Sequence, residues 1–239
     1  MNKHLKIVVT SDTHGKHKDL DLPDGDLFIH AGDFTSVGSG PDVEDFLIWL
    51  KKKSRKYTYG SLFIAGNHDK SFDSKYVKNF DINAEEGRKP KWLEDMLLEY
   101  VNPNLGVRYL ENSYTVVNDF KIWGSPITPW FFGDYWAFNK QRGDEIKEVW
   151  DTIPKDVEVV VTHGPVRGTL DYIPDQKLNV GCEELQKYIA AIKPKLHISG
   201  HIHEAYGITK VGSTIYINAS FVNASYIPSN APHVITVSK

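Results

Sequence analysis

The sequence predicts an α/β fold in which two β-sheets pack together with helices outside. Three observations carry that expectation. Early in the chain, short apolar runs alternate with helix-period stripes, the pattern of βαβ units. Hairpin-like strand patterns come later. No linker, internal repeat or low-complexity segment interrupts the 239 residues, so residues 1–239 read as one domain.

Strands are expected at Leu5 to Thr10, Leu27 to His30, Ser61 to Ala65, Val157 to Thr162 and Leu196 to Ser199. Each run is short, rich in β-branched or aromatic residues, and ends at Gly or a polar residue, as strands covered on both faces do. Val43, Phe46, Leu47 and Leu50 repeat at helical spacing, with Pro41 and Asp42 ahead and Lys51 to Lys53 behind. That order of Pro, acid and base suits a helix and its dipole. Ile146, Val149, Trp150 and Ile153 form a second stripe, stopping at Pro154. Leu185, Tyr188, Ile189 and Ile192 form a third, before Pro194, and Trp92 to Tyr100 a fourth. These stripes are core packing rather than ligand sites. Val107 to Leu110, Tyr114 to Val117 and Phe120 to Trp123 read as strands, with Asn118-Asp119 as a two-residue turn. Ile208 to Val211, Thr214 to Ile217 and Val234 to Val237 complete the set.

Composition excludes several classes. Apolar residues make up 41% and charged residues 25%, which is not the balance of a disordered chain. With 28 basic and 31 acidic residues the net charge is -3, which gives no electrostatic grip on a long nucleic acid. No stretch approaches the roughly 18 apolar residues of a membrane span. The first apolar run is too short for a signal-peptide core. The single cysteine, Cys182, suits a reducing, cytoplasmic setting. Ten histidines are the more useful oddity.

Polar residues follow the strands in a repeated way. Asp12 and His14 follow the first run, Asp33 the second, and Asn67, His68 and Asp69 the third. His163 follows the fourth, and His201 and His203 the fifth. Singly, each reads as a core histidine, a helix cap or a turn. Five coincidences at strand carboxyl ends, where α/β sheets bind ligands, point instead to a metal site. Carboxylate, carboxamide and imidazole without thiolate suit Mn, Fe, Zn or Co. Asp12, His14, Asp33, Asn67, His163, His201 and His203 are too many for one ion and suit two, if a carboxylate bridges. Two such ions about 3.5–4 Å apart clamp an in-line displacement and activate water. Phosphoester hydrolysis is the expected reaction, on a small phosphoester.

Asp12-Thr13-His14, Gly32-Asp33, Gly66-Asn67-His68-Asp69, Thr162-His163-Gly164 and Gly200-His201-Ile202-His203 resemble the ordered motifs of the calcineurin-like metallophosphoesterases. The resemblance implies a four-layer α-β-β-α sandwich of two mixed sheets. It also implies one metal on Asp12, His14, Asp33 and His203, and a second on Asp33, Asn67, His163 and His201. His68 takes the position of the family's catalytic histidine, with Asp69 beside it ordering the loop. Ser11 to Gly15, His30 to Thr35, Trp123 to Pro126, His163-Gly164-Pro165, Pro194 to His197 and Ile217 to Ser220 look closer to one branch, the vertebrate brain metallophosphoesterase-domain phosphodiesterases. That branch is related to the class III cyclic-nucleotide phosphodiesterases. The resemblance therefore implies a phosphodiesterase of small diesters. A phosphomonoesterase or small nuclease is the alternative, and a non-catalytic scaffold of the same fold a more distant one. Unlike protein phosphatases, Gly32-Asp33 is followed by Phe34-Thr35-Ser36, so that loop offers no acid to orient His68.

Other residues carry weaker expectations. Six aromatics crowd the nine residues from Trp130 to Phe138. They form either a lip that stacks on substrate, with Trp130 as its probe, or an ordinary packed loop or dimer contact. Arg167 is a candidate phosphate partner and His17 a candidate substrate contact; a solvated surface is the alternative for both. His30 and His197 fall inside strands and read as buried. Cys182 begins a helix and reads as structural.

Overall fold

A computed structural model describes residues 3–80, 85 and 87–239. The strands are β1 (His4–Thr10), β2 (Leu27–Ala31), β3 (Ser61–Ile64), β4 (Val107–Tyr109), β5 (Ser113–Val117), β6 (Phe120–Ser125), β7 (Thr128–Pro129), β8 (Asn139–Lys140), β9 (Val159–Thr162), β10 (Tyr172–Ile173), β11 (Leu178–Asn179), β12 (Leu196–Ser199), β13 (Gly207–Val211), β14 (Thr214–Asn218) and β15 (His233–Ser238). The helices are α1 (Gly40–Ser54), α2 (Ser74–Phe80), α3 (Lys91–Tyr100), α4 (Asp144–Trp150) and α5 (Glu183–Ile192).

Two mixed sheets result. The first runs β15-β1-β2-β3-β4 and the second β13-β14-β12-β9-β6-β5. Pairings are parallel within β1 to β4 and within β14, β12, β9 and β6. The outer strands β15, β13 and β5 run antiparallel. Every strand whose carboxyl end precedes a polar cluster is thus an interior, parallel strand. Asn118 and Asp119 both take positive φ, 49° and 66°, so the β5–β6 turn is the two-residue kind whose twist suits a hairpin.

Strand alternation divides the core. Leu5, Ile7, Val9, Leu27, Ile29, Leu62 and Ile64 face Ile122, Val159, Val161, Leu196 and Ile198 between the sheets. The intervening residues turn outward. Val8, Phe28 and Phe63 pack with Phe46, Leu47 and Leu50 of α1. Trp123 and Val160 pack with Trp150 of α4 and Leu185 and Ile189 of α5. Helices therefore cover both outer faces, giving the four-layer sandwich. His30 and His197 occupy outward positions and are buried against the helix layers.

The helix ends follow local chemistry. The Ser39 hydroxyl caps α1 by accepting from Asp42 N. Stripe spacing predicts a helix through Ile153, but α4 ends at Trp150. Turn bonds from Thr152 N to Val149 O and from Ile153 N to Trp150 O replace the helical ladder ahead of Pro154, and Ile153 stays buried. Cys182 caps α5: its Sγ accepts from Leu185 N at 3.4 Å and from Trp150 Nε1 at 3.3 Å. That ties α5 to α4 and makes the thiol structural. The short helix α2 had no periodic signal in the sequence. No helix among the described residues is long and apolar enough to cross a membrane.

Candidate metal centre

The carboxyl ends of β1, β2 and β3 in one sheet meet those of β9 and β12 in the other. Asp12, His14, Asp33, Asn67 and His163 are all at most 5% exposed there. Asp12, His14, Asp33 and His201 hold φ of 52°, 43°, 54° and 67°. Non-glycine residues adopt that region at a cost of order 1–3 kcal/mol, and such strain collects at functional sites. Two glycines are needed for close approach. A Cβ at Gly66 would strike Asp33 Oδ1, and one at Gly200 would strike the Asp12 carboxylate and the Ser11 hydroxyl.

The ligating atoms converge in trios. Asp12, His14 and His203 bring one ligand atom each within 4.8 Å of one another, and so do Asp33, His163 and His201. A third trio, His14, Asp33 and His68, sits between them. Asp33 Oδ2 lies 3.2 Å from His163 Nε2 and 4.0 Å from His14 Nε2, so this carboxylate touches both sides. His203 Nε2 is 3.4 Å from Asp12 Oδ1 and 3.3 Å from His14 Nε2. All seven residues expected to bind metal are brought together.

The donor chemistry fits cations. His163 Nδ1–H donates to Ala31 O at 2.9 Å, which fixes the tautomer. Its Nε2 then presents a lone pair to Asp33 Oδ2 and to Asn67 Oδ1, 3.0 Å away. Three acceptors facing one another are stable only around a positive charge. A proton is one such charge. Burial disfavours it, but Asp33 outweighs burial and holds the His163 ring up at about 9. A metal ion suits the same lone pairs. Burial would raise the Asp12 and Asp33 carboxyls. For Asp12, the hydrogen bond from His203 and the charge of His163 outweigh it; for Asp33, the charges of His163 and His68 do. Both stay below the usual carboxylate range. Burial pushes His14 down to about 4 and His201 to about 3, which leaves these rings neutral, as ligands must be.

Supporting bonds come from segments that periodicity does not reveal. Ser220 Oγ donates to Asp12 Oδ2 at 2.9 Å, the Ser11 hydroxyl donates to the same oxygen, and His201 N donates to Asp12 at 3.0 Å. Asn218 Nδ2 donates to Gly200 O and Ile202 O, and its Oδ1 accepts from the backbone N of Ser220 at 3.1 Å. The end of β14 thus anchors both Asp12 and the His201–His203 loop.

His68 stands beside this centre. Its backbone N donates to Asp33 Oδ1 at 2.7 Å. Its ring Nδ1–H donates to Ser36 O at 2.7 Å. The loop after Asp33 therefore orients His68 through a carbonyl rather than an acid. Asp69, the residue expected to order that loop, follows His68 in the chain. It is fully buried and does not line the cavity. Its carboxyl accepts from Thr35 N and Oγ1, Gly66 N and Phe34 N. Burial and Asp33 push it up to about 7. Its role is to tie the Asp33 loop to the His68 loop.

A cavity of about 680 Å³ opens over the centre. Asp33, Asn67, His68, His201 and His203 form its floor. Phe131, Phe132, Tyr135 and Trp136 make one wall. Trp130 is not part of it: it lines a separate groove with Asp134 and Gln141. Arg167 does not line the cavity either; it pairs with Glu183 at 2.8 Å. Arg142, which also pairs with Glu183, lines the cavity instead. His17 is buried against Phe46 and Trp49, 3.3 Å from Asp45, and does not line the cavity. Tyr226 was invisible to sequence reasoning. Its ring sits 4.9 Å from His14 and 5.0 Å from His203, at the cavity edge.

With the Asp33 carboxylate 3.2 Å from His163 Nε2 and 4.0 Å from His14 Nε2, the site has the donor set that a metal-dependent phosphoesterase needs. The model of the calcineurin-like phosphoesterase family matches residues 5–205, and the chain belongs to that family. Metallophosphoesterase domain-containing protein 1 of Homo sapiens is 38% identical over 239 residues, spanning 97% of this chain and 71% of that protein. The UPF0046 protein K07C11.7 of Caenorhabditis elegans is 32% identical over 236 residues, spanning 99% and 76%. The solved structure of TT1561 of Thermus thermophilus superposes with a TM-score of 0.58 at 13% identity, over 90% of this chain and 89% of that one. That likeness concerns the fold alone.

Proposed function

We propose that the protein is a dinuclear metal-dependent phosphodiesterase that hydrolyses small phosphodiesters, cyclic nucleotides among the candidates. The observation that carries the reading is the Asp33 carboxylate, which belongs to the trio with His163 and His201 and lies 4.0 Å from His14 of the other, under an aromatic-walled cavity. Asp12, His14, Asp33 and His203 would hold one ion, and Asp33, Asn67, His163 and His201 the other. When bound, Mn, Fe, Zn or Co ions supply positive charge for phosphoryl oxygens and lower the pKa of water.

The chain's own residues do the rest. Ser11, Ser220 and the His201 amide hold Asp12 in its ligand orientation. The Ser36 carbonyl holds His68 Nδ1–H, which leaves Nε2 as the ring nitrogen to take up a proton and pass it to the leaving oxygen. Phe131 and Trp136 offer flat faces to an aryl or base substituent. The cavity is larger than a bare phosphate needs and leaves room for two substituents on phosphorus. The reading includes one domain in a cytoplasmic setting, with no long nucleic acid as partner; a dimer is compatible with it.

A metal-by-substrate matrix tests it. Chelated protein is reconstituted with each metal and assayed on bis(p-nitrophenyl) phosphate, p-nitrophenyl phosphate and oligonucleotides. Faster diester turnover supports the reading. Turnover of the monoester alone, or of none of the three, refutes it.

A further inference from the structure

Lys70 is 8% exposed and makes no ion pair among the described residues. Lysine is almost never buried without a partner. Here aromatic faces replace the carboxylate. The Nζ sits 3.8 Å from the centroid of Tyr135, 4.6 Å from that of Trp136 and 5.4 Å from that of Tyr76. These distances are within the reach of cation–π attraction, which strengthens as water is removed. Trp136 in turn lies 4.2 Å from the His68 ring. It also stacks on Phe131 at 6.3 Å and 19°, and Phe131 lies 5.0 Å from His201. The aromatic wall sits in an irregular segment whose main chain is tied by Asn139 Nδ2 to Phe131 O at 3.2 Å and by Ala137 N to Asn67 O at 3.3 Å. Those bonds leave the Tyr135 and Trp136 rings to be held by the groups they touch.

We infer that Lys70 is a positioning residue, whose charge braces Tyr135 and Trp136 against His68 and so fixes the catalytic ring between an aromatic face and the Ser36 carbonyl. Lys70 follows Asp69 directly, and its backbone N donates to His68 O at 2.9 Å. One short segment therefore carries the ring, the brace and the loop tie. The inference rests on the proposed role of His68. It explains why a cation is buried beside the site without lining the cavity.

Lys70→Met keeps the length and loses the charge; Lys70→Arg keeps the charge. The expected result is a kcat on bis(p-nitrophenyl) phosphate lowered about tenfold in Lys70→Met, with metal content unchanged, because small misplacements near the chemistry are costly. Lys70→Arg should recover most of it. The His68 ring proton resonances, read by NMR, should broaden or shift in Lys70→Met and return in Lys70→Arg. Equal kcat and an unmoved ring in Lys70→Met overturn the inference, and so does equal damage by both substitutions. If the wild type turns over no phosphoester, the functional reading fails first. The ring resonances then decide the brace on their own. If Lys70→Met does not fold, the comparison passes to Trp136→Leu, which should move the same His68 resonances with Lys70 intact; no movement overturns the inference.

Discussion

The Nδ1 of His68 lies 2.7 Å from the backbone carbonyl of Ser36. A carbonyl only accepts, so the ring proton sits on Nδ1 and Nε2 is left facing the cavity. His68→Asn should lower kcat by about 10²–10⁴-fold, the span of lost acid–base assistance. Metal content, read by elemental analysis, should stay at the wild-type value, because the backbone bond to Asp33 survives. Ser36→Ala should be silent in kcat, since it is the main chain that orients His68.

Ser220 acts on the metal through Asp12. Its hydroxyl donates to an Asp12 oxygen, and the Ser11 hydroxyl donates to the same atom. Ser220→Ala should weaken metal binding about 10-fold, the lower end for a lost supporting bond. At saturating metal, kcat should return towards wild type. A titration of activity against free metal separates the two parameters.

The aromatic wall discriminates between two tryptophans. Trp136→Ala should raise KM for aryl diesters about 2- to 10-fold, as expected from one stacking contact. Trp130→Ala should leave KM alone, because that ring faces a different groove. An unchanged KM in Trp136→Ala would remove stacking from the account.

Burial pushes His197 and His30 down to about 3 from an ordinary value of 6.5. Below pH 6.5 the unfolded chain binds protons at these rings and the folded chain does not. Their contribution is therefore complete above pH 6.5 and lost progressively as pH falls towards 3. Melting of the metal-free protein should shift down over that window. His197→Asn should flatten the slope by up to about one proton. A slope unchanged by the substitution would show that the ring already titrates normally in the folded state.

Much of this arrangement was legible in the sequence, for a physical reason. Interior parallel strands must be apolar on both faces, so β1, β2, β3, β9 and β12 stand out as runs whose ends mark the site. Asp12, Asp33 and His163 could be placed because each lies one or two residues beyond the end of such a strand. Ser36, Ser220 and Tyr226 could not, since each acts across a contact distant in sequence that no period encodes. The choice of Trp136 over Trp130 was illegible too: the segment is irregular, so no spacing says which ring turns inward. Which arginine lines the cavity was illegible as well: Arg142 and Arg167 both meet Glu183 at the start of α5, and only the fold turns Arg142 to the cavity. His17 was misplaced because Phe46 and Trp49 of α1 bury it.

In the proposed dinuclear centre Asp33 joins the two metal sites. Metal stoichiometry measured in parallel for wild type and Asp33→Asn tests it most directly. Two equivalents per chain are expected for the wild type, and at most one, with activity lost, for the variant. Two equivalents and wild-type turnover in Asp33→Asn would contradict it.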